Sequence, residues 1–72
     1  MTKLPVLRPL EVLKKLEKAG FVVTRQTGSH ARLIHSDGRA TTVALQSRDL
    51  PKGTLRAILR QCEMTTEEFQ KI

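Results

Sequence analysis

Apolar positions in the stretch RPLEVLKKLEKAG recur with a helical period: Leu10, Val12, Leu13 and Leu16 share one broad side, while Glu11, Lys14, Lys15 and Lys18 take the other. Pro9 fits a first helical turn, where its missing N–H costs nothing, and Gly20 fits the stop, so the pattern predicts a first helix. The period then changes. FVVTRQ, SHARLIH and ATTVAL are rich in β-branched and apolar residues and are separated by Thr27-Gly28 and by Ser36-Asp37-Gly38-Arg39, both of them turn chemistry. Asp37-Gly38 is the sharper hairpin signal, and three successive strands on short turns make an antiparallel meander. The polar QSRDL reads as a loop. Beyond it, GTLRAILRQC carries Leu55, Ile58, Leu59 and Cys62 at the i, i+3, i+4, i+7 spacing of a helix buried on one side. Thr65 and Glu68 then stand in capping-box positions for a short last helix, with Phe69 set to pack back on the core.

Together these elements predict an α+β fold in the order α-β-β-β-α plus a short C-terminal helix, with the helices on one face of a three-stranded antiparallel sheet. Double-stranded RNA-binding domains use that order, and in them basic residues at the start of the last long helix reach phosphates. At 72 residues the chain is read as a single domain, 1–72, with an N-terminal arm at 1–8 and the folded unit at 9–72. A core this small gains from association with a partner. No run reaches membrane-spanning length, and Pro5 and Pro9 interrupt the N-terminus, so the expectation is a soluble, cytoplasmic protein. Cys62 is the only cysteine, which excludes an internal disulfide and a cysteine-based zinc site.

The formal charge of +6 points to a polyanionic partner, and its placement says more than its size. Arg25, Arg32, Arg39, Arg48, Lys52, Arg56 and Arg60 stand against only Asp37 and Asp49 in the middle of the chain. Most are arginine, whose planar fork matches phosphate bidentately. Lys52, Arg56 and Arg60 fall at i, i+4, i+8 on the second long helix, away from its apolar stripe. Such a row holds a nucleic-acid backbone or forms a plain solvated face.

Candidate chemistry begins at the turn before the second strand. Gly28 and Ser29 suit a turn, but His30 after them answers no structural need. Alternation along SHARLIH puts His30, Arg32 and Ile34 on one side and Ala31, Leu33 and His35 on the other. If the helices cover Ala31 and Leu33, His30 and Arg32 stand together on the open face. An imidazole, with its usual pKa of about 6.5, suits removal of a proton from a ribose 2′-hydroxyl. An arginine suits the charge that develops on the phosphorus oxygens. Gly28 permits close backbone approach and Ser29 offers a hydrogen bond. His35, on the opposite face, reads as structural, and His30, His35 and Asp37 do not repeat a known metal-ligand spacing. A surface histidine without chemistry is the competing reading of His30.

Three ordered segments, LEKAGFVVTRQTGSHARLIH, the later DGR and TTV, and LPKGTLRAILRQCEMTTEEF, resemble the HicA-type toxins of toxin-antitoxin systems. The likeness runs from Pro9 to Phe69. It implies a small protein of double-stranded RNA-binding-like fold that cleaves mRNA without a metal or other cofactor, held inactive by a cognate HicB-type antitoxin. The family's Gly-Ser-His motif maps to Gly28, Ser29 and His30, which makes His30 the implied catalytic residue, and its Gly-Thr-Leu segment maps to Gly53, Thr54 and Leu55. Arg32, Lys52, Arg56 and Arg60 are the remaining candidates for substrate contact. Where many members read Val-Pro-x-His after the third strand, this chain reads Val43, Ala44, Leu45 and Gln46, so no role is carried to that segment. The alternative is a non-catalytic RNA-binding or antitoxin-binding module of the same fold.

Overall fold

The computed structural model describes residues 6–72, so the first five residues of the predicted arm lie outside it. Its elements follow in the order α1 (Pro9–Lys18), β1 (Phe21–Thr27), β2 (His30–His35), β3 (Ala40–Ala44), α2 (Lys52–Gln61) and α3 (Thr66–Gln70). The predicted α+β order is therefore the observed one. No helix among the described residues is long and apolar enough to cross a membrane.

Helix α1 opens on Pro9, and the Arg8 N–H just ahead donates to Glu11 Oε1 at 3.1 Å, giving an otherwise unpaired backbone donor a partner. It ends at Gly20, whose φ of +102° is a left-handed conformation that L side chains resist. Pro9, Val12, Leu13 and Leu16 are its buried side. Leu10, expected on that side, is instead 54% exposed. Once Pro9 joins the stripe at 9, 12, 13 and 16, the 100° step per residue carries Leu10 to its rim.

The sheet runs β1-β2-β3, antiparallel throughout, with Ala31 paired to Val43 and Leu33 to Thr41. Phe21, Ala31, Leu33, Thr41 and Val43 are buried, and α1 and α2 pack over this one face. Along β2 the alternation is strict, exposed at His30, Arg32 and Ile34 and buried at Ala31 and Leu33. Strand β1 departs from it, because a bulge at Thr24 shifts the register between Val23 and Arg25.

Helix α2 contributes Leu55, Ile58 and Leu59 to the core, and Cys62 follows them in. Its last turn is fastened over the start of β3. The buried Thr41 hydroxyl donates to Gln61 Oε1 at 2.6 Å, and Arg39 Nη1 donates to the Cys62 carbonyl at 2.7 Å. The predicted capping box starts α3, with Thr65 N–H to Glu68 Oε1 at 2.8 Å and Glu68 N–H to Thr65 Oγ1 at 3.1 Å. This holds Phe69 fully buried beneath the Lys15 ammonium, 4.9 Å from the ring centre.

Candidate functional site

Strands β1 and β2 join through a two-residue turn, Gly28 and Ser29. Gly28 has a φ of +58°, as the first central position of a II′ hairpin requires, and Ser29 belongs to the turn instead of opening the strand. His30 is the first residue of β2. The Ser29 carbonyl accepts from the Leu45 N–H, which ties the turn to the segment after β3.

His30 is exposed on the face that carries no helix, between its register partners Thr27 on β1 and Ala44 on β3. Neither neighbour is large, and among the described residues none gives the ring a hydrogen bond or ion pair. Arg32, two residues on, shares that face, and its Nη1 donates to Thr42 Oγ1 at 3.3 Å across β3. Gly28, Ser29, His30 and Arg32 are thus gathered at one end of the open face. Lys52, Arg56 and Arg60 are not. They are exposed on α2, whose apolar side is turned to the covered face of the sheet, so the row and the imidazole are on opposite sides of it.

His35 lies on the covered side, as expected, and its surroundings explain it without chemistry. Its ring meets Phe21 edge-on at 5.1 Å between centroids, and its Nδ1 accepts from the Asp37 N–H at 3.1 Å. Asp37 in turn accepts from the Arg39 N–H at 3.0 Å and from Arg39 Nε at 2.8 Å. Those bonds, the backbone one foremost, hold the Asp37 carboxyl below its ordinary value. Arg39 also covers the Phe21 ring at 5.2 Å. The Asp-Gly-Arg segment is therefore a clasp between the β2-β3 turn, β1 and α2. His30 lies at the far end of β2 from this clasp, and among the described residues no three metal-ligating side chains converge.

A shallow cleft of about 350 Å³ lined by Arg8, Leu10, Leu45, Gln46 and Ser47 includes none of the predicted site residues. Burial pushes the Cys62 thiol up to about 11, away from nucleophilic use at neutral pH.

Sequence reasoning missed two residues of the open face. Thr42 orients Arg32, and Arg25 faces Arg32 across β1 and β2. Plain alternation from Phe21 sends Arg25 to the buried side, and the available signal was that very conflict: a charge at an inward position calls for a bulge.

No curated protein matches the chain. The family model described as the HicA toxin of bacterial toxin-antitoxin matches residues 10–64, which takes in the whole sheet and α2. That span is well over half of the 72 residues, and the protein belongs to the HicA toxin family, the toxin of a toxin-antitoxin system whose counterpart is an antitoxin.

Proposed function

We propose that this toxin is a metal-independent endoribonuclease that cuts mRNA in the cytoplasm with His30 as its general acid-base residue, and that a HicB-type antitoxin neutralises it. The observation that carries the reading is an imidazole without a partner among the described residues, on an uncovered, basic sheet face, one side-chain step from Arg32. His30 takes the proton from a ribose 2′-hydroxyl. The freed oxygen attacks phosphorus, one P–O bond forms, and the bond to the leaving oxygen breaks as that oxygen regains a proton. Positioned proton transfer of this kind is worth ~10²–10⁴-fold in rate. Arg32 stabilises the charge gathering on the phosphorus oxygens. Gly28 and Ser29 let the ribose-phosphate chain come close to the backbone, and Lys52, Arg56 and Arg60 hold a further stretch of the RNA by its phosphates.

Paired expression in cells tests this. Wild type arrests growth and degrades mRNA, whereas His30→Ala does neither yet stays folded and still binds its antitoxin. In vitro cleavage survives a chelator. Wild-type expression that leaves growth and transcripts untouched while RNA binding persists assigns the protein to the non-catalytic class instead, and activity abolished by chelator and restored by a divalent cation overturns the metal-free mechanism.

A further inference from the structure

Register places three rows across the open face: Val22, Ile34 and Ala40; Arg25, Arg32 and Thr42; Thr27, His30 and Ala44. The middle row is the unusual one. Residues directly opposite on paired strands have Cβ atoms about 5 Å apart, and like charges at that distance oppose folding. Arg25 and Arg32 are such a pair. No aspartate or glutamate stands in any of the three rows. Among the described residues the Arg32 side chain bonds only to Thr42, and the Arg25 side chain has no hydrogen bond or ion pair.

Arg25 is on this face only because of the bulge. From buried Phe21, alternation assigns 23 and 25 to the helix side, and the extra residue at Thr24 resets the parity so that Arg25 emerges opposite Arg32. Thr24 Oγ1 donates to the Arg32 carbonyl at 3.4 Å, fixing the bulge against the same residue. The bulge keeps the Arg25 charge off the helix-covered side. It disrupts a ladder and sets two guanidinium groups against each other beside His30.

We propose that Arg25 and Arg32 form a two-guanidinium seat for one phosphodiester of the RNA, with the Thr24 bulge as the device that turns Arg25 into it. The bound phosphate supplies the negative charge that the row lacks. Along β2, Arg32 is about 7 Å from His30, so the seat holds the phosphate next to the ribose that the imidazole addresses. The substrate class rests on the ribonuclease reading, and the seat itself rests on the register.

The test uses a short labelled single-stranded RNA and three proteins: His30→Ala, the same with Arg25→Gln, and the same with Lys14→Gln, an exposed position on α1 that serves as the charge control. Arg25→Gln should weaken binding about tenfold and reduce the slope of log K against log salt by up to about 0.7, the value for one phosphate fully released, since Arg32 still faces that phosphate. Lys14→Gln should do neither. Thermal unfolding supplies a second readout: Arg25→Gln should raise Tm at low salt, by relieving the repulsion, and the rise should vanish at high salt. Arg25→Gln that binds like Lys14→Gln, or that lowers Tm, overturns the seat. Cleavage by proteins with His30 intact separates the two claims. RNA that is bound through Arg25 but never cut sinks the ribonuclease reading and leaves the seat standing. RNA that is cut and bound equally well without Arg25 does the reverse.

Discussion

Replacing each histidine of β2 in turn should separate stability from chemistry. His35→Ala removes the edge-on contact with Phe21 at 5.1 Å and the acceptor for the Asp37 N–H at 3.1 Å. The aromatic contact is worth about 0.5–1.5 kcal/mol. The hydrogen bond contributes a similar amount, about 0.5–1.5 kcal/mol. The sum, about 1–3 kcal/mol, is a large share of the stability of so small a domain. For a domain of this length each kcal/mol moves Tm by roughly 4–8 °C, so a fall near 10 °C is expected. His30→Ala removes an exposed ring with no partner among the described residues, a change usually within about 0.5 kcal/mol. Circular dichroism melts of both variants measure the first half. RNA cleavage per folded molecule, below both midpoints, measures the second. His35→Ala should keep its chemistry and lose Tm, and His30→Ala should do the opposite. Equal losses of Tm would refute the open-face placement of His30, and cleavage lost in folded His35→Ala would refute the structural reading of His35.

Gly20→Ala should be more damaging than any surface change, since it meets a φ of +102° and puts a Cβ 2.7 Å from His35 Nε2. Backbone strain of about 1–2 kcal/mol should remain when His35 is also alanine, while the steric part disappears, and a double-mutant cycle by urea denaturation reads the difference. Asp37 has a folded pKa below its ordinary value of 3.8, so its contribution to stability is complete above 3.8 and is lost as pH falls through the lowered folded value. The stability gap between wild type and Asp37→Asn should therefore narrow as pH falls below about 4, and a constant gap would mean that Arg39 does not favour the carboxylate. Joint Arg56→Gln and Arg60→Gln should raise KM with kcat unchanged, whereas Arg32→Gln should lower kcat, and steady-state cleavage kinetics would expose the reverse pattern.

The helices were legible because each carries its period and its punctuation within its own residues: Pro9 and Gly20 bracket α1, Thr65 and Glu68 start α3, and Leu55, Ile58 and Leu59 mark the buried side of α2. So was the face of His30, since β2 alternates without interruption from Ala31 to Ile34. What escaped depends on residues distant in sequence. The bulge at Thr24 exists only as a mismatch between β1 and β2, and it alone decides which way Arg25 points. The bond from Arg39 to the Cys62 carbonyl spans 23 positions, and no local pattern announces it. Leu10 was misassigned for the milder reason that a helical stripe has soft edges.

Charge is where composition and structure part most clearly. Arg39 and Lys52 count equally toward +6, yet they do different work. Arg39 has a carboxylate at 2.8 Å, a carbonyl at 2.7 Å and an aromatic ring beneath it, so little of its field is left for a ligand. Lys52, Arg56 and Arg60 stand in water on α2, where salt screens them within about 10 Å. Among the described residues, only Arg25 and Arg32 oppose each other across a sheet with no acid in their rows. An anion there gains attraction from both guanidinium groups and relieves their mutual repulsion at the same time, a double gain that neither the clasp nor the solvated row can offer. The electrostatic case for phosphate beside His30 therefore rests on two charges and their register, and the net charge of the chain alone would not have located it.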